Sequence, residues 1–407
     1  MLEGVRKVHL IGAGGIGVSA VGKLFLCWGK TVTGSDVFHN EQVDVLRHLG
    51  ANISVGHSAE NVKEDIGLIV YSPAVGEDNV ERARARELGL TQMSYPQFLG
   101  ELAKGYKTIA ISGTHGKSTT TAMIGLILEA AGLDPTVIVG SKVNSWPDGN
   151  LRVGSSNLLV LEACEHMAGM LNIHPDIAVI TNVEMDHPDF YRDLAHVQET
   201  FEKWKSQAKQ VIEGPITDGP EFSLMIPVGF NLENARLAAT VAKQLGASDE
   251  VIVKTLNAFS GLWRRFEKVS VWHGADIFSD YAHHPTAIKK TLQGAREFFP
   301  GRRIVLCFQP HQHARTKELF DDFVPSFDGA DVLILVEIYA VAGRLEVAGE
   351  ISSRDLVEAV KKRGKDVSYA ADLVDAEKQL KDVIVPQDVV LVMGAGDIDD
   401  VARRLVV

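Results

Sequence analysis

Short runs of β-branched and aliphatic residues alternate along the chain with stretches in which apolar positions recur every three or four residues. That alternation is the mark of parallel strands covered by helices, so the chain reads as an α/β protein. Strands are predicted at Val8–Ile11, Thr31–Gly34, Thr108–Ser112, Leu158–Glu162, Ala178–Thr181, Arg303–Phe308, Asp331–Leu335 and Val389–Val392. Several end in glycine or polar residues, the edge at which open α/β sheets hold ligands. Polar or glycine-bearing joints near Ala103–Tyr106 and Ser260–Trp263 predict three strand-initiated domains, 1–104, 105–262 and 263–407. No fixed repeat or low-complexity tract appears, and the Gly- and Pro-rich stretch Glu213–Glu221 reads as a turn or loop.

Composition narrows the possibilities. The 407 residues are 45% hydrophobic and 23% charged, an ordinary globular balance able to fill several cores. A formal net charge of −12 argues against a nucleic-acid partner, because such proteins usually present a basic face. The three cysteines, Cys27, Cys164 and Cys307, are widely spaced, which suggests neither a disulfide framework nor a thiolate metal site and fits a reducing compartment. From Met1 to Leu10 there is no apolar leader, and no stretch reaches the roughly 18 apolar residues of a membrane span. The expectation is a cytoplasmic protein with no membrane association.

Four segments carry candidate chemistry. Gly12-Ala13-Gly14-Gly15-Ile16-Gly17 follows a strand and opens a helix, with Asp36 at the end of the next strand. This G-x-G-x-x-G arrangement lets backbone amides approach a diphosphate, although tight turn packing would also demand glycine. Next, a strand leads into Gly113-Thr114-His115-Gly116-Lys117-Ser118-Thr119-Thr120 and an apolar helix expected to start near Ala122. It reads as a shortened phosphate loop in which amides cradle phosphates, Lys117 neutralises their charge and Ser118 ligates Mg²⁺. Two nucleotide-type loops in one chain weaken a dehydrogenase reading.

Glu162 ends a strand, and Thr181-Asn182-Val183-Glu184-Met185-Asp186-His187-Pro188-Asp189 follows another. A carboxylate and an imidazole there suit a metal that bridges phosphate and a substrate acid, or else a hydrogen-bonded scaffold. Finally, Arg264-Arg265-Phe266-Glu267, Ser279-Asp280-Tyr281-Ala282-His283-His284-Pro285-Thr286 and Phe308-Gln309-Pro310-His311 put cations and imidazoles on loops after strands. Arg265 could clamp a transferring phosphoryl group, Asp280 could hold a ribose or a cation, and His283 could meet nucleotide or phosphate; an arginine pair is otherwise a solvated surface feature. Gly394-Ala395-Gly396-Asp397 is either a ligand-facing turn or a tight connection.

In this order, and together with His9-Leu10-Ile11-Gly12, Gly34-Ser35-Asp36 and Val70-Tyr71-Ser72-Pro73-Ala74, these segments resemble the Mur ligase family, its alanine-adding branch above all. The resemblance covers nearly the whole chain. It implies a Rossmann-like domain for a UDP-sugar, a central phosphate-loop ATPase domain and a C-terminal Rossmann-like domain that closes over ATP and receives an amino acid. It also implies that Gly12, Gly14, Gly15, Gly17, Asp36, Ser72 and His284 bind substrate. Gly113 to Thr119, including Thr114, His115, Gly116, Lys117 and Ser118, would hold ATP with Asn231, Asn234, Arg265 and Asp280. Ser118, Glu162 and His187 would hold Mg²⁺, and Lys117, Glu162, His187, Arg265 and His283 would be catalytic.

The implied partners are UDP-N-acetylmuramate and L-alanine, handled by a monomer or weak homodimer. Departures from the family pattern are Phe230 before the asparagine motif, Ser279 before Asp280, and Glu162-Ala163-Cys164-Glu165-His166 in place of a more acidic run. The short span from His187 to Asn231 implies a shortened central domain. Where later-step members carry a carbamylated lysine, an ungapped count reaches Phe201, which favours the alanine-adding branch. Three readings compete: a ligase of the same fold that recycles a tripeptide, a nucleotide-binding regulatory homologue without turnover, and an NAD-dependent oxidoreductase resting on the first glycine loop and Asp36.

Overall fold

The structure is a computed structural model that describes residues 2–188, 190–340 and 351–406; Met1 and Asp189, named above, lie outside the described residues. Three mostly parallel sheets carry the chain. The first contains β1 (Lys7–Ile11), β2 (Thr31–Asp36), β3 (Asn52–Val55), β4 (Leu68–Tyr71) and β5 (Gln92–Ser94), ordered β3-β2-β1-β4-β5 and parallel throughout. Its order reverses between β1 and β4, where a doubly wound sheet opens a crevice at the strands' C-terminal ends. The glycine-rich loop leaves β1 at that point and enters α1 (Ile16–Cys27). Helices α2 (Glu41–His48), α3 (Val80–Glu87) and α4 (Tyr95–Ala103) complete this part. Asn40, Asn79 and Ser94 cap them, each side chain accepting an orphan amide of the first turn.

The second sheet contains β6 (Lys107–Ser112), β7 (Thr136–Ile138), β8 (Leu151–Arg152), β9 (Leu158–Glu162), β10 (Ile177–Ile180) and β11 (Gln210–Glu213), ordered β11-β10-β6-β9-β7-β8. Only the β7–β8 pair is antiparallel. Strand β6 is central, so the loop that follows it is flanked by the ends of β9 and β10. The inner strands are apolar without alternation because both faces are covered, and Ile109, Ala110, Ile111, Leu159, Val160, Leu161, Ala178 and Val179 are fully buried. Each such Ile, Leu or Val contributes about 1.5–3 kcal/mol relative to exposure.

The third sheet contains β12 (Glu267–Trp272), β13 (Ala275–Asp280), β14 (Ile304–Phe308), β15 (Val332–Val336), β16 (Val367–Ala370) and β17 (Val389–Met393), ordered β12-β13-β17-β14-β15-β16. One of its faces packs Phe266, Phe278, Leu306, Phe308, Phe323 and Phe327, and the other packs Ile277, Val305, Val390, Val392 and Ile398. The loops after β13, β14 and β17 all leave C-terminal strand ends, the position expected for ligand loops.

Two compact units emerge. One comprises Met1–Val183, Ala195–Gly219 and Arg236–Thr255 and holds the first two sheets; the other comprises Glu184–Leu194, Pro220–Ala235 and Leu256–Val407 and holds the third. Among the described residues no helix is long and apolar enough to cross a membrane. Every expected strand is present, with no end displaced by more than two residues. The helix expected near Ala122 instead starts at Lys117, as α5 (Lys117–Ala130). Gly116 takes a left-handed conformation (φ 85°) as its N-cap, so Lys117 and Ser118 stand in the first helical turn, among its unpaired amides.

Candidate active site

The glycine-rich loop is held by its own sheet. The Ser35 carbonyl accepts the Gly12 and Ala13 amides at 2.9 and 3.0 Å, and Asp36 Oδ2 accepts the Gly14 amide at 2.7 Å. Asp36 thus braces the backbone of the loop on which both the substrate-binding and the dehydrogenase readings rested. Ser72, at the end of β4, donates its amide to the Ile11 carbonyl at 2.9 Å and faces the loop across the crevice. Beneath the loop lies Glu81, fully buried, which accepts from Ser35 Oγ at 2.5 Å and Asn61 Nδ2 at 2.6 Å and meets His9 Nε2 at 3.3 Å. Burial alone would raise its carboxyl, but the bonds from His9, Ser35 and Asn61 more than offset this and hold it at about 2.

The phosphate loop is braced from β10. Asn182 Oδ1 accepts the His115 amide at 3.0 Å, the Asn182 carbonyl accepts the Thr114 amide at 3.0 Å, and the His115 carbonyl takes Thr181 Oγ and Asn182 Nδ2 at 2.5 and 3.0 Å. Gly113 has φ +136°, and a Cβ there would lie 2.0 Å from Thr181 Oγ1, so only glycine fits. Thr114, Ser118 and Thr119 are buried. Lys117 Nζ donates to the Gly113 and Thr114 carbonyls at 2.5 and 3.1 Å and lies 3.0 Å from Glu165 Oε2. Burial alone would lower this lysine, but Glu165, with Cys164 and Glu162, raises it and keeps it charged.

Glu162 ends β9 beside this loop and accepts the Gly140 amide on Oε2 at 2.9 Å. Both carboxylate oxygens lie against Gly140, where an added Cβ would meet them at 2.6 and 2.8 Å. A half-buried carboxylate close enough to raise Lys117, and the Ser118 hydroxyl in the first turn of α5, are hard oxygen donors of the kind Mg²⁺ selects. The donor chemistry fits a magnesium–nucleotide site.

In the second unit, Asp186 is buried and takes Arg315 Nη2 at 3.1 Å and the His187 amide at 2.7 Å on Oδ1. Burial would raise this carboxyl, but His187 and Arg315 hold it far below the usual range. His187 has φ 55°, and its Nε2 lies 3.8 Å from Asp186 Oδ2. His283 Nδ1 meets the Tyr281 carbonyl at 2.8 Å, and burial, then the Arg315 charge, push its imidazole well below its usual value. That environment disfavours the imidazolium and leaves the ring able to offer a hydrogen bond. His311 packs edge-on to His283 and stacks on Tyr339.

Other residues of this unit make structural contacts of their own. Asp280, expected at a ribose or cation, is buried and accepts the Phe266 and Ala282 amides at 2.7 Å each; it shapes the Arg264–Phe266 turn and the start of the histidine loop. Burial raises its carboxyl, and Arg265 only partly opposes this. His284, expected at substrate, caps the helix Pro285–Phe298 by accepting the Thr286 amide at 3.3 Å. Arg264 is buried, with Nη2 on the Gly394 and Gly396 carbonyls, so Gly394–Asp397 serves as a tight connection that anchors it. Arg265 lies over the Tyr281 ring at 4.7 Å. Asn231 and Asn234 are buried in the first turns of α7 (Val228–Gln244), which follows α6 (Leu194–Lys205). They pair with each other at 3.4 Å, and Asn231 also donates to the Pro227 carbonyl at 2.9 Å. Phe201, the carbamylated-lysine position, is a buried core residue of α6.

The loops, their bracing asparagine and the acidic residue beside Lys117 are those of an enzyme that activates a substrate with nucleotide phosphate, and comparison with known proteins gives the class. Residues 7–107 match the family described as "Mur ligase family, catalytic domain", 111–212 match "Mur ligase middle domain", and 264–396 match "Mur ligase, glutamate ligase domain". The chain belongs to the Mur ligase family, the ATP-dependent ligases that form amide bonds.

Among the relatives, it is 36% identical to the UDP-N-acetylmuramate–L-alanine ligase of Caldanaerobacter subterraneus subsp. tengcongensis, with 99% of this chain and 98% of that protein covered. It is 37% identical to the enzyme of the same name from Clostridium tetani, covering 98% and 97%. The first alignment runs over 456 positions, more than the 407 residues here, so part of that relative has no counterpart. The crystal structure of UDP-N-acetylmuramate–alanine ligase MurC from Thermotoga maritima superposes with TM-score 0.85 at 28% identity, covering 98% of each chain. A murein peptide ligase from Psychrobacter arcticus shares the fold at TM-score 0.68 and 21% identity, covering 98% of each chain.

Proposed function

We propose that this protein joins L-alanine to the carboxylate of UDP-N-acetylmuramate at the expense of ATP, in the cytoplasm, as a monomer or weak homodimer. The observation that carries the reading is a charged, loop-bound Lys117 flanked by Glu165 and Glu162 in a chain 36% identical to an alanine ligase over nearly its full length. The proposed domains are 1–104 for the sugar nucleotide, 105–262 for ATP and 263–407 for the amino acid.

In this reading Gly12, Gly14, Gly15 and Gly17 receive the UDP diphosphate at the N-terminus of α1. Gly113 to Thr119 cradle the ATP phosphates, with Asn231 and Asn234 on the adenine side. Ser118, Glu162 and His187 would hold Mg²⁺, whose positive charge screens the phosphates. The muramate carboxylate oxygen attacks the γ-phosphorus, the bond to the β–γ bridging oxygen breaks and ADP leaves. Lys117 stabilises the charge that develops on the γ-phosphoryl oxygens. The neutral amine of alanine then attacks the acyl carbon, the acyl C–O bond to phosphate breaks, and the nitrogen gives up one proton to the departing inorganic phosphate or to water. Arg265 and the N–H groups of Arg315 offer positive charge to that step, and neutral His283 offers a hydrogen bond. An intact Lys117, Ser118, Glu162 and His187 argue against a regulatory homologue without turnover.

The test is ATP-dependent phosphate release with UDP-N-acetylmuramate and each of L-alanine, L-serine, glycine and the tripeptide. Release with L-alanine at the highest kcat/KM is expected; preference for the tripeptide would favour the recycling ligase instead.

A further inference from the structure

Helix α1, which carries the glycine-rich loop at its start, is tied to the segment between β7 and β9 by a buried polar cluster that the proposed chemistry does not use. Asn150 is fully buried and Lys23 is 3% exposed. The Asn150 side-chain amide donates to the Ile16 carbonyl in the first turn of α1 and to Ser19 Oγ at 3.1 Å. Its Oδ1 accepts Lys23 Nζ at 2.7 Å, and the same ammonium donates to the Asp148 carbonyl at 2.7 Å. Gln42 Oε1 receives Ser19 Oγ at 3.2 Å and Lys23 at 3.4 Å, so the donors and acceptors of Asn150 and Lys23 are closely matched.

The same residue reaches the other loop through the backbone. The Asn150 carbonyl accepts the Val139 amide at 3.0 Å, and the amide of the next residue, Gly140, is the donor that holds Glu162 Oε2 at 2.9 Å. One asparagine therefore touches the start of the glycine-loop helix with its side chain and the strand end that aims Glu162 with its backbone. Tyr95 buttresses the same junction, since a Cβ on Gly17 would meet its ring at 2.7 Å and its phenol lies within electrostatic range of Glu162. Burying an ammonium is costly, and Lys23 is pushed down to about 8 mainly by burial, which the Asp148 charge only partly opposes. A chain that needed only apolar packing here would not bear that cost.

We propose that Asn150, locked by Lys23, is a positioning residue that keeps the glycine-rich loop in register with the Glu162 carboxylate, so that an acid carried by a diphosphate on α1 is presented to the phosphate site at fixed distance. The proposal rests on the function proposed above for its substrates, while the connection itself is independent of which amine is used. Ångström-scale misplacement of reacting groups lowers turnover without loosening either ligand.

Asn150→Asp is nearly isosteric, keeps the acceptor for Lys23 and removes the donors to Ile16 and Ser19. The expected result is kcat lower by about tenfold or more, with KM for UDP-N-acetylmuramate and for ATP within about twofold of the parent. Mn²⁺ affinity in the presence of a non-hydrolysable ATP analogue and no sugar nucleotide, read by electron paramagnetic resonance, should weaken several-fold because the aim of Glu162 is disturbed. Lys23→Met, which leaves the Ile16 contact in place, should show the same split at about threefold, and it decides the matter if the first variant does not fold.

An unchanged kcat in folded Asn150→Asp, or a loss that only tracks the fraction of binding-competent protein, overturns the proposal. If the parent protein itself releases no phosphate with UDP-N-acetylmuramate and L-alanine, the functional reading fails, and unchanged Mn²⁺ affinity in the variant would then overturn the positioning role separately.

Discussion

Lys117 Nζ sits 3.0 Å from Glu165 Oε2, with the glutamate buried and the lysine side chain only 13% exposed. Glu165 keeps Lys117 protonated beside the phosphate loop before any nucleotide arrives, and an ATP phosphate must share that ammonium with Glu165 or take it over. Glu165→Gln should lower folding stability by about 1–3 kcal/mol, since the ammonium then lacks its counter-charge in a partly desolvated place. Saturating Mg·ATP should recover much of that loss through linkage. Thermal unfolding with and without nucleotide measures both, and a variant as stable as the parent in the absence of ATP would contradict the role of the pair.

Gly113 admits no side chain. With φ +136° and a Cβ position 2.0 Å from Thr181 Oγ1, Gly113→Ala must either distort the loop or expel Thr181, whose hydroxyl braces the His115 carbonyl. The expected outcome is a fall in kcat/KM for ATP of about 100-fold or more, from misplacement of the phosphate-binding amides. Steady-state kinetics with ATP varied gives the answer, and a loss under threefold would show that the loop tolerates rearrangement.

The fully buried Glu81 predicts an acid sensitivity of the first unit. Its carboxyl is held near 2, below the ordinary 4.5, so its stabilisation is fully present above pH 4.5 and disappears as pH falls from 4.5 towards 2. The contribution is about 3 kcal/mol at neutral pH, from roughly 1.4 kcal/mol per pKa unit. Glu81→Gln should be less stable than the parent at pH 7, and the gap should narrow as pH falls through 4 to 3. Chemical denaturation at those pH values tests it, and a constant gap would show that the carboxylate charge is immaterial.

How much of this was readable in advance follows from distance along the chain. Strands and ligand loops were legible because their signals are local: a β-branched run, then glycines, then a helical period. The apolar period points to a helix from Ala122, but Gly116, left-handed at the N-cap, lets α5 begin inside the motif at Lys117, a turn that no apolar period marks. Short half-buried strands such as Gln92–Ser94 gave too little pattern to be seen.

The larger omissions were partners. Glu165 meets Lys117 from 48 residues away, Arg315 meets Asp186 from 129 residues away, and Asn150 meets Lys23 from 127 residues away. Such pairings are set by sheet order and crossover connections, which a single sequence leaves open. Asp280 and His284 stand out in the sequence, but that Asp280 braces the Phe266 and Ala282 amides and His284 Nδ1 the Thr286 amide becomes visible only when the turn is formed.

The account stands or falls most directly on phosphate release from ATP in the presence of UDP-N-acetylmuramate and L-alanine, measured for the parent protein and for Lys117→Ala. It predicts release that requires both substrates and Mg²⁺, and a fall of at least about 1,000-fold in kcat/KM for the variant, the scale at which a key charge on a transferring phosphoryl group contributes. Release that proceeds without the sugar nucleotide, or that survives the loss of Lys117, would contradict it.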